Sequence, residues 1–147
     1  MNPVIRKAIQ AGTDINVLLY RRTNGRVGGR GMGRMPLLLL TVPGRRTGSP
    51  HTVPVAYFDH NGDYIVVGTG MGGSKRTPQW FLNLQAAGTC HILIGEQQRQ
   101  VDARCVSDAE REELWHQIAQ RAPHFARFQV RTGRTFPLAM LSPRSTP

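Results

Sequence analysis

Apolar residues come along this chain in short runs, broken by glycine, proline and asparagine. Leu37–Val42 is a continuous apolar run into a turn and reads as a buried strand. His51–Phe58 is rich in β-formers. Asp59-His60-Asn61-Gly62 carries the Asn-Gly signature of a tight hairpin, with Tyr64–Thr69 as the partner strand. Cys90–Ile94, a turn at Gly95-Glu96 and Arg99–Val106 predict a second hairpin, and Thr135–Leu141 a last strand. Between these runs the apolar period lengthens to that of a helix. Residues 3–22 predict two helical pieces broken near Gly12-Thr13, with Asp14 as a cap. One carries Val4, Ile5, Ala8 and Ile9 on a face, the other Ile15, Leu18 and Leu19. Thr77 is expected to cap a helix that begins at Pro78 and ends before Gly88. Ser107-Asp108-Ala109-Glu110 is a capping box opening a helix to about Arg121, with Leu114, Trp115 and Ile118 as its buried stripe and Glu112-Glu113 on its surface. Pro123–Arg131 predicts one more short helix.

Hairpins with helices between them predict an α+β fold, a small antiparallel barrel with inserted helices. No internal repeat is present. Residues 24–34 form a glycine–arginine connector, which divides the chain into a basic amphipathic segment at 1–34 and a barrel domain at 35–147. At 147 residues and 39% hydrophobic content, the chain is long enough to bury a core. Its longest run, four leucines, is far short of a membrane span. The N-terminus lacks the apolar stretch of a signal peptide. Cys90 and Cys105 lie in predicted strands without CxxC spacing, so both are expected to be reduced, buried and structural, in a cytoplasmic protein.

A net charge of +10 admits nucleic acid, an acidic membrane surface or an anionic small ligand as partner. Basic residues gather at Arg21, Arg22, Arg26, Arg30, Arg34, Arg45 and Arg46, then at Lys75 and Arg76. No aromatics are interleaved with the N-terminal arginines to stack on bases, so nucleic acid is not the expected partner. His51, His60, His91, His116 and His124 show no metal-ligand spacing, no acidic pair suits general acid/base work, and no GxSxG elbow exists. Two loops remain. Gly44-Arg45-Arg46-Thr47-Gly48 is neither a Walker loop nor a dinucleotide fingerprint, yet it combines backbone N–H groups, a hydroxyl and two guanidinium forks suited to a phosphate. Gly70–Arg76 repeats the theme and opens the helix at Pro78, whose first turn favours negative charge. Trp80 either stacks on a bound heterocycle or sits in the core. Cationic loops without a protein nucleophile favour a cofactor that brings its own reactivity.

These elements together resemble the deazaflavin-dependent nitroreductase family, small actinobacterial proteins that bind coenzyme F420. The matching stretches are Leu37–Thr41 with Gly44–Gly48, Thr52-Val53-Pro54-Val55, Gly72-Gly73 with Pro78–Leu84, and Pro123–Gln129 with Thr132 and Pro137. Leu19-Tyr20-Arg21 with Gly25–Arg30 fits as well. The resemblance implies a split β-barrel of the FMN-binding kind that binds reduced deazaflavin and passes hydride to an organic acceptor: a quinone, an enone or a nitro compound. It implies that Arg45, Arg46, Thr47 and Gly48 hold the phosphodiester and oligoglutamate tail, with His51 beside them. Met71, Gly72, Gly73 and Ser74 would line the deazaflavin, with Lys75 and Arg76 nearby. Trp80 and Asn83 would support that wall, and Pro54 would lie beneath the ring.

Two departures from the family pattern qualify this. His51 stands where many relatives carry a basic residue, which weakens the tail contact at neutral pH. Phe125 and Phe128, expected in the substrate pocket, stand where nitro-reducing relatives often have tyrosines. Their apolar character points to a quinone or an enone. Three further expectations accompany the resemblance: FMN as the alternative cofactor, a homodimer, and peripheral contact of residues 1–34 with the inner face of the membrane. A carrier without turnover, and a basic nucleic-acid binder, remain the rival functions.

Overall fold

The computed structural model describes residues 17–18, 20–23, 35–69, 76–133 and 135–144. Within them, six strands run in the order β1 (Leu37–Pro43), β2 (Pro50–His60), β3 (Asp63–Val67), β4 (Thr89–Ile94), β5 (Gln97–Cys105) and β6 (Leu138–Pro143). Helix α1 (Gln79–Ala87) joins β3 to β4, and α2 (Asp108–Arg121) and α3 (Pro123–Thr132) join β5 to β6. The strands close into an antiparallel barrel, β1-β2-β3-β6-β5-β4, with β1 pairing both β2 and β4. The fold is therefore the expected α+β split barrel.

Side-chain alternation along the strands sorts the apolar residues into two cores. Leu38, Leu40 and Val42 of β1, Val55 of β2, Ile92 of β4 and Leu141 of β6 point into the barrel, and Phe81 and Leu84 of α1 close it. On the outer faces of β2, β3 and β6, Phe58, Ile65, Val67, Leu138 and Met140 pack under Leu114, Ile118 and Phe125 from α2 and α3. A third patch of outer face, over β1 and β4, is taken by Tyr20 from the helical residues 20–23. Its hydroxyl lies 3.0 Å from the Leu37 carbonyl and 3.2 Å from that of Leu93, and it accepts from the Gly95 N–H at 3.0 Å.

Local signals decide most boundaries. Asn61 and Gly62 take φ of 51° and 87°, the left-handed pair that a two-residue hairpin turn requires. Ser107 caps α2 by accepting from the Glu110 N–H. The Glu110 carboxylate does not return to the cap backbone; it is gripped by both terminal nitrogens of Arg104, each at 3.0 Å. Trp115 is half-buried rather than sealed, with the Arg111 guanidinium 4.9 Å over its ring.

Three expectations are corrected. Thr77 does not cap α1: Pro78 is the N-cap, extended at ψ 153°, without a side-chain cap bond. The last strand begins at Leu138, because pairing with β3 starts at Leu138↔Val67 and the preceding Pro137 has no N–H to give. Cys90 is buried as expected, but Cys105 is exposed, at the last position of β5, where no layer covers it. The helical pieces at 3–16 and the connector at 24–34 lie outside the described residues, as does Asp14. Among the described residues, no helix is long and apolar enough to cross a membrane.

Gly68, just past β3, sits where a side chain has no room. A Cβ there would lie 2.9 Å from Pro137 Cγ and 3.0 Å from Phe81 Cδ2. Gly68→Ala is expected to lower stability by about 1–3 kcal/mol through overpacking, read as a fall in the thermal midpoint.

Candidate functional site

The β1–β2 turn, residues 44–49, is built as a rigid loop. Gly44 N–H donates to the Ser49 carbonyl and Gly48 N–H to the Gly44 carbonyl, both at 2.8 Å. Thr47 Oγ1 accepts from the Ser49 N–H at 3.2 Å, which leaves its own O–H to give. Gly48 takes φ +74° with open space where a Cβ would stand. At Gly44 a Cβ would meet Thr47 Oγ1 at 2.8 Å and His51 Nε2 at 3.1 Å, so the threonine and the histidine fold over the same stretch of backbone.

Arg45 fastens this turn to α1. Asn83 Oδ1 accepts from both the Arg45 backbone N–H (3.1 Å) and Nη1 (2.7 Å), and Gln79 Oε1 accepts from Nη2 at 2.8 Å. Gln79 and Asn83 are four apart, hence neighbours on one helix face. Both are neutral amides, so they orient the guanidinium without cancelling its charge. Two of its five N–H donors are spent there, and the others remain for a ligand oxygen. Arg46, Thr47, Gly48 and His51 are exposed around it.

The charges are segregated. No acidic residue occurs in positions 15–58 or 64–95, which hold nine of the chain's 19 lysines and arginines. Two ion pairs among the described residues, Asp102 with Arg144 and Glu110 with Arg104, lie on β5 and α2. The turn therefore presents positive charge together with hydroxyl and amide donors. That donor set fits a phosphate or a carboxylate chain.

From this turn the outer face of β2 carries Thr52, Pro54, Ala56 and Phe58 in line, since strand side chains alternate. Thr52 shares a 2.8 Å hydrogen bond with Thr41 and lies 3.5 Å from an Arg21 terminal nitrogen. Pro54 is half-buried, opposite Leu39. Phe58 carries Phe125 at a centroid distance of 6.0 Å, and Phe128 stands 6.3 Å beyond it. His51 to Phe58 covers about 23 Å at about 3.3 Å per residue. The strip is cationic at one end; at the other, Phe58 and Phe125 are buried in the second core and Phe128 is half-buried at its edge.

The structure thus brings Arg45, Arg46, Thr47, Gly48, His51 and Asn83 together, and sets Pro54 on the strip that leads to Phe125 and Phe128. Trp80 is half-buried, packed against the barrel core and edge-on to Phe81 at 5.5 Å. Arg76 is exposed just before α1. Met71, Gly72, Gly73, Ser74 and Lys75 lie outside the described residues. Sequence reasoning missed Gln79, although its i, i+4 spacing from Asn83 was readable, and it missed the Arg21–Thr52–Thr41 contact, which joins distant segments. Cys90 offers no chemistry: burial pushes its thiol up to about 12, far from a thiolate at neutral pH. Among the described residues no group of three His, Cys, Asp or Glu is placed to hold a metal ion.

Comparison with known proteins adds four findings. A family model described as F420H(2)-dependent quinone reductase matches residues 13–143. The chain is 34% identical over 129 residues to the F420H(2)-dependent quinone reductase Rv1261c of Mycobacterium tuberculosis, covering 86% of each. Among solved structures it is similar to an F420-H2 dependent reductase, FDR-A, with TM-score 0.65 and 29% identity over 73% of this chain and 94% of that one. It is also similar to a domain-swapped dimer, with TM-score 0.68 and 25% identity over 96% and 100% of the two chains.

Proposed function

The chain belongs to the F420H(2)-dependent quinone reductase family, and on that premise we propose that it reduces a quinone at the strip along β2, with coenzyme F420 as its hydride source. It is an F420H2-dependent reductase, and F420 is its cofactor. One observation carries the site: the acid-free turn at 44–49, fixed to α1 through Arg45 and Asn83, at the head of an apolar strip that ends on an aromatic cluster.

Reduced F420, when bound, supplies two electrons as hydride. The residues of the chain do the rest. Arg45, Arg46, Thr47, Gly48 and His51 hold the phosphodiester and the glutamate tail, the arginines by charge and the threonine by its hydroxyl. Met71, Gly72, Gly73 and Ser74 would line the ring system, with Lys75 and Arg76 beside them. Trp80 and Asn83 back that wall, and Pro54 forms the floor. Phe125 and Phe128 shape the acceptor pocket. Without hydroxyls they offer no hydrogen bond to a nitro group, which favours a flat apolar acceptor over a nitroimidazole.

Residues 1–34 form a basic segment in this reading, docked on the barrel through Tyr20, and 35–147 the catalytic barrel. A cationic amphipathic segment suits an anionic bilayer surface, where a lipid-soluble quinone would be met. Two free cysteines suit the reducing cytoplasm. The likeness to a domain-swapped dimer supports a homodimer.

The test is steady-state oxidation of reduced F420 by menadione. Turnover well above the no-enzyme rate, with much slower turnover of a nitroimidazole, is the expected result. A menadione rate equal to the control contradicts the quinone assignment.

A further inference from the structure

Reduction of a quinone consumes a proton as well as a hydride, and the aromatic wall at α3 has no hydroxyl to give one. One side chain in that wall does carry an exchangeable proton. His124 is 9% exposed, its ring 4.4 Å from Phe125 at 33° and 5.7 Å from Phe128 at 78°. Phe125 in turn stands on Phe58 of β2, the last residue of the strip that begins at Thr52. Among the described residues no hydrogen bond holds either imidazole nitrogen. Other candidates are placed elsewhere. Tyr57 and Tyr64 face the barrel interior, edge-on to each other at 5.6 Å. The Tyr20 hydroxyl is committed to the backbone of β1 and the β4–β5 turn. The Cys90 thiol is sealed in the core, and Arg127 does not give up a proton.

We propose that His124 is the proton donor to an acceptor held against Phe128, the half-buried ring of that wall. This rests on the reading of the β2 strip given above. The acceptor gains two electrons with the hydride. A new O–H bond then forms on its reduced oxygen as an N–H bond of the His124 imidazolium breaks, and the imidazole regains a proton from water. The proton shed on oxidation of the coenzyme passes to water, so reduced F420 and quinone give F420 and quinol with nothing left over.

The surroundings set the direction of the pH dependence. Burial first, and then the Arg127 charge, hold the His124 pKa below its ordinary value. Of the elements packed against α3, β2 presents Phe58 and Ala56, and β6 presents Leu138 and Met140, all uncharged. Helix α2 contributes Arg111, which donates to Gln129 and to the Phe136 carbonyl. A lowered pKa means the imidazolium fraction grows as pH falls. Where proton transfer limits turnover, kcat is expected to rise about tenfold per unit as pH falls through and below neutrality, levelling off below the pKa.

The experiment uses full-length protein and the His124→Gln and His124→Phe variants. Both are expected to keep the F420 dissociation constant within about twofold, while kcat for menadione falls by about 100-fold and its pH dependence flattens. In the coenzyme-free wild type, added menadione is expected to shift the His124 ring resonance. Unchanged kcat and pH profile in His124→Gln overturn the proposal. Parallel loss of F420 affinity in both variants, or no resonance shift, overturns it in favour of a packing role. If wild-type protein fails to bind F420 at all, the β2 reading falls first, and the resonance shift still reports whether a quinone touches His124.

Discussion

Arg45→Ala is expected to weaken binding of coenzyme F420 by about 10- to 100-fold, with little change in fold. A hydrogen bond to a charged group contributes about 1.5–3 kcal/mol, and about 1.4 kcal/mol is tenfold in affinity. The side chain has two duties, and each predicts part of the loss. Its Nη1 and Nη2 pin the turn to Asn83 and Gln79. In the proposed site its remaining donors and its charge would face the ligand. Asn83, only 7% exposed, keeps the Arg45 backbone N–H as a donor in the mutant, so no buried acceptor is orphaned and stability falls little. Arg45→Lys should recover the charge but not the geometry, because one ammonium cannot serve two amides as a planar fork does. The gap between wild type and Arg45→Ala should narrow as salt is raised. Arg104→Ala provides the control, since Arg104 is exposed and paired with Glu110 on α2. A twofold change or less for Arg45→Ala, by titration at low salt, would remove the turn from the site.

Phe81→Ala should be among the most damaging single changes to the fold. Phe81 is fully buried, reaches the barrel interior from α1 and touches the space over Gly68. Truncating a buried phenylalanine costs about 3–5 kcal/mol, part of it for the cavity left behind. In a domain of this size that is a fall in thermal midpoint of about 10–20 °C. Damage should extend to the site, because Phe81 seats the helix that carries Trp80 and Asn83. A melt by circular dichroism checks the first claim, and F420 affinity well below the transition checks the second. A shift of only a few degrees would mean that α1 is held by something other than this plug.

How much of this was legible in the sequence depended on distance along the chain. Asn61-Gly62 announced its hairpin because left-handed backbone at two adjacent positions leaves few residue choices. Ser107 announced α2 for an equally local reason, and Leu37–Val42 announced a strand by having no polar phase. Closure of the barrel was not written locally: Leu39 pairs with Leu93, and no nearby pattern specifies that partner. The Arg45–Asn83 link, 38 residues apart, was invisible for the same reason. Thr77 was misread because threonine before proline looks like a cap, whereas Pro78 itself takes the extended N-cap geometry. Cys105 was misread because burial at a strand end depends on what lies above it. The loop at Gly70–Arg76 stood out in the sequence by its glycines and cations, whereas the roles proposed for Met71 to Ser74 and the coenzyme itself came from the family resemblance; charge and glycine alone reached no further than an anionic ligand. Arg45 was named from the donors of its loop and Asn83 from that resemblance, while their mutual hydrogen bonds came from the fold.

The central claim is that the cationic turn and the β2 strip form a deazaflavin site. Fluorescence titration of the purified protein with coenzyme F420, run beside FMN, tests it most directly. Saturable, tight binding of F420 that weakens with salt is expected, with much weaker binding of FMN, which lacks the glutamate tail. Equal or tighter binding of FMN, or binding of neither, would contradict it.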